Sequence, residues 1–252
     1  MTEIFQSISW SYIKNRLKTE GAENKLYDED INGSIEISKL NLIGIENRFL
    51  KNFTNPEILI ATSSMKHLLN SADKHEYAAG NITATTKELT IIGATSTEKG
   101  DSWIYFDLYF PAHKAYIKAN LNPVTCQAIA IDILTDSGSN ALPNQYYCWI
   151  EPPADLSDFN LAKIVNLSAT VLATEAVDLP QNRYYLVEIY AEITEEGDNY
   201  LEIYRDKDLV FAYEESEPNI SQILSFRMRV WDNSDSEAQE GRICGPVVII
   251  YE

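Results

Sequence analysis

From about Asn81 to the C-terminus, apolar and polar positions alternate with the period of a strand. In "SWIYFDLYF", Ile104, Phe106, Leu108 and Phe110 fall on one side, and Trp103, Tyr105, Asp107 and Tyr109 on the other. The first set reads as a core face; the second is aromatic but carries polar groups. "AYIKANL", "CQAIAIDIL" and "YYCWIEP" continue the strand pattern. Beyond them, "NRYYLVEIYAEI" and "YLEIYRD" flank the turn "TEEGDN" as a hairpin, and "LVFAYEE", "ILSFRMRVW" and "PVVIIYE" follow. In "SFRMRVW" the same period puts Arg227, Arg229 and Trp231 opposite Phe226, Met228 and Val230.

The first third of the chain is mixed. Ile4, Phe5, Ile8, Tyr12, Ile13 and Leu17 recur at helical spacing. After the Asn32-Gly33 turn, "SIEISKLNLIG" reads as a strand. A second helix is expected over "NPEILIATSSMKHLLNSAD", capped by Asn55, with Pro56 at its first position and Ile58, Met65, Leu68 and Leu69 facing inward. The expected fold class is therefore mainly β with an α+β N-terminal part. An antiparallel β-sandwich or barrel-like C-terminal sheet packs on an N-terminal part with two helices; a single continuous sandwich is the alternative. "EPPADLSD" marks the expected boundary between a mixed region, 1–150, and an acidic antiparallel domain, 156–252.

Charge reinforces that division. The formal net charge is −18, and residues 151–252 carry 21 acids against 7 bases, whereas residues 1–150 carry 17 against 13. Nucleic acid and anionic membrane are poor partners for such a chain, because phosphates select Lys and Arg. No apolar run reaches transmembrane length and no signal-peptide pattern opens the sequence, so a cytoplasmic location is expected. The three cysteines, Cys126, Cys148 and Cys244, lie far apart without a CxxC pair and read as small buried hydrophobes.

Recognisable catalytic motifs are absent: no HExxH, Gly-x-Ser-x-Gly or phosphate-binding glycine loop occurs. Acids among aromatics remain as candidates, namely Asp107, Glu188 and Glu202, since such a setting can raise a carboxyl pKa and make a general acid. Calcium is the candidate ion. Asp232, Asp235 and Glu237 supply oxygens in one acidic loop, and Asp28, Asp30 and Asn32 in another, whose twelfth position is Lys39 rather than Glu. Arg227 and Arg229 invite two readings: cross-strand pairing with Glu188 and Glu202, or a clamp for an anionic ligand.

These features lead to one expectation and two alternatives. The expectation is a noncatalytic interaction or structural module whose acidic surface meets a basic protein partner. The first alternative is a small-molecule or carbohydrate-binding β module, with calcium as a possible aid, using Trp103, Tyr105, Asp107, Tyr109, Arg227, Arg229 and Trp231. The second is a motif-less enzyme, a cyclase or isomerase, with Asp107 as its acid.

Overall fold

The computed structural model describes residues 45–76, 81–93, 100–126, 128–140, 144–151, 158–194, 196–216, 220–231 and 239–252. The expected N-terminal helix, the strand after Asn32-Gly33 and both acidic calcium-candidate loops lie outside these residues.

Two antiparallel sheets face each other. One has the order β13-β12-β11-β6-β15-β4-β3, with β1 also paired to β15; the other runs β10-β9-β8-β7-β14-β5-β2. The eight-stranded sheet comprises β1 (Glu57–Thr62), β3 (Asn81–Ala84), β4 (Glu88–Ile92), β6 (Lys114–Pro123), β11 (Tyr185–Ile193), β12 (Asn199–Arg205), β13 (Asp208–Glu215) and β15 (Glu240–Tyr251). The seven-stranded sheet comprises β2 (Asp73–His75), β5 (Ser102–Ala112), β7 (Ala128–Leu134), β8 (Gln145–Glu151), β9 (Asp158–Val165), β10 (Ser168–Ala176) and β14 (Ile223–Trp231). Between the sheets, inward residues such as Ile117, Ile189 and Ile249 meet Ile131, Phe159, Phe226 and Met228. This is the mainly β sandwich that the alternation implied.

The chain crosses between sheets repeatedly. β6 pairs with β11, while β14 lies between β7 and β5. Both sheets thus draw strands from before and after residue 151. The expected boundary falls between adjacent strands, with Glu151 of β8 opposite Asp158 of β9.

Only the second part of the expected 55–73 helix is helical. Residues 57–62 form β1, because β15 offers an open edge from Val247 to Tyr251 beyond its pairing with β4. The β-branched Ile58, Ile60 and Thr62 suit a pleated strand better than a helix. Helix α2 (Met65–Ser71) begins after Ser64, whose side chain accepts from the His67 N–H, and it buries Met65 and Leu68. The short α1 (Asn47–Leu50) belongs to a segment that lays Ile45, Phe49, Leu50 and Phe53 over Tyr116, Tyr190, Tyr204, Val248 and Ile250, on the outer face of the eight-stranded sheet.

Candidate functional site

The outer face of the seven-stranded sheet collects most of the chemistry singled out in the sequence. Strand pairing lines its residues up in rows. One row reads Asn160, Trp149, Ala130, Arg229, Trp103 and His75; the next reads Ala162, Tyr147, Asp132, Arg227, Tyr105 and Asp73. Arg227, Arg229 and Trp231 do share the side of β14 away from the core; Arg229 stands opposite Trp103 and Arg227 opposite Tyr105 on β5, whereas Asp107 stands opposite Ser225.

The two arginines pair neither with Glu188 nor with Glu202, since those acids belong to the other sheet. Their partner is Asp132, the single charged residue of an otherwise apolar, fully buried β7. Arg227 donates Nε–H to Asp132 Oδ2 (2.6 Å), Nη1 to the Asn140 carbonyl (3.1 Å) and Nη2 to Gln145 Oε1 (2.7 Å). Arg229 Nε lies 2.9 Å from Asp132 Oδ2, and its Nη1 donates to Asp101 Oδ2 (2.7 Å).

Rings pack around these cations. Arg227 lies over Trp103 (4.9 Å), and Arg229 lies against both Tyr147 (5.1 Å) and Trp231 (4.8 Å). His75 stacks on Trp103 with centroids 3.9 Å apart, and Tyr147 stacks on Trp149.

Burial sets the electrostatics. For Arg227 it outweighs the attraction of Asp132 and lowers the pKa; for Arg229 burial also opposes the charge, but Asp132 and Asp101 prevail and raise it. A shared carboxylate between two guanidinium groups is what permits either to be buried.

The turn at 136–140 closes one part of this face. Trp103 Nε1–H donates to the Gly138 carbonyl (2.9 Å), the Gly138 N–H donates to Asp107 Oδ1 (2.7 Å), and Ser137 Oγ–H donates to Asp107 Oδ2 (3.0 Å). Gly138 packs so closely on Tyr105 that a Cβ there would collide with the ring. Asp107 therefore anchors a turn, with both oxygens accepting hydrogen bonds.

The candidate residues divide by accessibility. Trp103, Arg227 and Arg229 are 4%, 2% and 6% exposed and form the frame, whereas Tyr105 and Trp231 are half-buried and Asp107 is exposed. Tyr109 does not join them. Leu108–Pro111 of β5 stand opposite the single residue Leu224, and this bulge ends the alternation. Tyr109 (57% exposed) and Phe110 (45%) both emerge at the surface, so Phe110 leaves the core face expected of it and packs on Tyr251 instead.

Sequence reasoning missed Asp132, Gln145, Tyr147 and Trp149. A lone acid inside "AIAIDIL" and the alternation of "QYYCWIE" were the available signals.

Glu188 and Glu202 sit on the opposite outer face. Glu188 is fully buried, accepts from Tyr116 O–H (2.5 Å), and lies 3.5 Å from Arg48 and 4.0 Å from Lys118. Glu202 accepts from Tyr200 (2.5 Å) and Tyr204 (2.9 Å). Burial and the Glu188 carboxylate push Tyr116 far above the usual phenol range. These acids act as acceptors for protonated tyrosines.

Cys126 and Cys148 are buried and Cys244 is half-buried; all three are free, and burial pushes Cys126 up to about 12. Among the described residues, no group of three or more His, Cys, Asp or Glu side chains is placed to hold a metal, and no helix is long and apolar enough to cross a membrane.

No protein-family model matches the sequence, and no curated protein matches it. Solved structures do match the fold. The chain is similar to carbohydrate binding module CBM66 from Bacillus subtilis at 18% identity, over 80% of this chain and 98% of that one, with a TM-score of 0.50. It is also similar to a legume lectin-like domain from Entamoeba histolytica (10% identity, 77% and 97% coverage, TM-score 0.52). A third is an endo-beta-1,4-glucuronan lyase from the fungus Trichoderma reesei (13% identity, 73% and 92% coverage, TM-score 0.50). Identities this low establish a shared sandwich fold.

Proposed function

We propose that this protein is a noncatalytic saccharide-binding β-sandwich and that its ligand lies on the outer face of the seven-stranded sheet. The observation that carries the reading is that Tyr105, Asp107 and Trp231 reach the surface of one sheet face, Asp107 and Trp231 towards opposite ends of the β5–β14 pairing, along a frame of Arg227, Arg229 and Asp132. Aromatic rings offer flat apolar surface to the C–H faces of sugars, and neighbouring polar groups fix the orientation of the hydroxyls. The frame keeps such groups in place before a ligand arrives, which lowers the entropic cost of binding.

The names of the similar structures, a carbohydrate binding module, a lectin-like domain and a glucuronan lyase, support the same reading. They lend nothing to a basic protein partner, the first expectation from charge. Asp107 as a general acid is opposed by its engagement with Ser137 and Gly138.

Thermal unfolding in the presence of a broad saccharide panel tests the proposal, because a ligand of the native state raises its melting temperature. A stabilising saccharide is expected, with the shift lost in Trp231→Ala and Tyr105→Ala. A panel with no stabilising member, or a shift unaffected by both substitutions, contradicts it.

A further inference from the structure

β2 pairs with β5 only from Trp103 to Tyr105, and among the described residues no strand continues along that edge of β5. Exposed groups follow the uncovered stretch: Asp107, Tyr109, Phe110 and Pro111, after the half-buried Tyr105. Leu108–Pro111 form the bulge opposite Leu224, so the chain bows out of the ladder here. It is held in that position. Phe110 packs on the buried Tyr251 with ring centroids 5.0 Å apart, and the Tyr251 hydroxyl is hydrogen-bonded to the Tyr109 backbone. Among the described residues the exposed large apolar side chains are Tyr109, Phe110, Leu167, Val171 and Leu209, and only the first two are aromatic. Scattered aliphatic residues are ordinary at a surface, but two adjacent rings held outward on a bulge mark a contact surface.

We infer that Tyr109 and Phe110 are a further contact for the ligand of this face, and that the ligand is a saccharide chain rather than a single sugar. This rests on the proposed saccharide face and adds the size class of its ligand. In the β5–β14 pairing Ser102 stands opposite Val230 and Asp107 opposite Ser225, so Trp231 and Asp107 are separated by about 16 Å of strand. The bulge extends that span beyond Asp107. One sugar ring cannot bridge these positions, whereas a chain lying along β5 touches Tyr105, Asp107 and the bulge in turn. The groups suit such a ligand. Rings meet the apolar C–H faces of sugars, and the Asp107 carboxylate between them keeps acceptor capacity for a hydroxyl beyond its bonds from Ser137 and Gly138. Continuity with Tyr105 and Asp107 favours the ligand of this face over a second copy of the chain, which a net charge of −18 repels.

Calorimetric titration with glucose, mannose and galactose, and with their β-linked di- and tetrasaccharides, tests the span. Any other sugar that responds in the broader panel is titrated at the same lengths. In at least one series the tetrasaccharide is expected to bind about tenfold tighter than the disaccharide. Tyr109→Ser and Phe110→Ser, each checked for a native melting transition, are expected to remove most of that gain and to leave disaccharide affinity unchanged. Tyr105→Ala is expected to weaken both lengths. If Phe110→Ser does not fold, Tyr109→Ser decides. Affinity that does not grow with length, or a gain that survives the folded substitutions, overturns the chain inference while the saccharide face stands on its loss in Tyr105→Ala. A substitution that changes the molar mass in solution but not the tetrasaccharide affinity assigns the two rings to contact between copies and overturns it too. Binding by no series and by no member of the broader panel overturns both.

Discussion

The outer faces of the two sheets are built from similar side chains and end in opposite states. On the eight-stranded sheet, Tyr116, Tyr190, Tyr200 and Tyr204 donate to Glu188, Glu192 and Glu202, and residues 45–53 lay an apolar cover over much of the surface. On the seven-stranded sheet, aromatic rings surround two arginines that share one aspartate. Tyrosine–carboxylate pairs give each hydroxyl hydrogen an acceptor, although buried polar atoms without a hydrogen bond remain on both faces: Glu188 Oε2 and two Arg48 nitrogens on the eight-stranded sheet, Arg229 Nη2 and Gln145 Nε2 on the other. Guanidinium groups sharing one carboxylate leave N–H groups over. The same aromatic and charged alternation can therefore make a tyrosine–carboxylate layer under an apolar cover or an arginine–aspartate face, according to which partners the strand order supplies.

The largest expected effect breaks the arginine-bearing face. Asp132→Ala leaves two buried guanidinium groups without their shared counter-charge and should destabilise the fold by about 3–5 kcal/mol. Urea unfolding measures this; a loss under about 1 kcal/mol would mean that solvent or other acids satisfy the arginines. On the other face, Phe49→Ala removes a fully buried ring packed on Tyr116 and Tyr204. A cost of about 3 kcal/mol is expected from the lost burial and cavity, with saccharide binding retained. Loss of binding in a folded Phe49→Ala variant would show that the two faces are not independent.

A smaller effect is read from pH. Tyr200 is pushed up to about 12 chiefly by its hydrogen bond to Glu202 and then by burial, and Tyr204 to about 12 by burial and then by the same carboxylate. A raised tyrosine pKa favours the folded state fully below the unfolded value of about 10, and the contribution is lost as pH climbs from about 10 towards 12. Glu202→Gln should therefore shift part of the tyrosinate absorbance titration to lower pH. An unchanged titration would show that Glu202 does not hold these hydroxyls.

Much of this contrast was legible along the chain, but only where it is local. Alternation in "SFRMRVW" correctly placed Arg227, Arg229 and Trp231 on one side, because the period of a strand is a property of a few neighbouring residues. Their partner was not legible, since Asp132 lies 95 positions from Arg227 and meets it only through the pairing of β14 with β7. Glu188 and Glu202 were equally plausible by sequence and are excluded only by strand order. Phe110 and Tyr109 were misassigned because a bulge cancels alternation without a glycine to announce it. Residues 57–62 form a short apolar run of the kind that periodicity cannot divide between helix and strand; the open edge of β15 decides it.

Intrinsic fluorescence tests the ligand face most directly, because Trp103, Trp149 and Trp231, three of the four tryptophans, belong to it. Titration with a saccharide whose binding has been established by calorimetry should change tryptophan emission with the same dissociation constant, and Trp231→Phe should reduce the change. Calorimetric binding with emission unchanged in the wild-type protein would place the ligand elsewhere and contradict the assignment of this face.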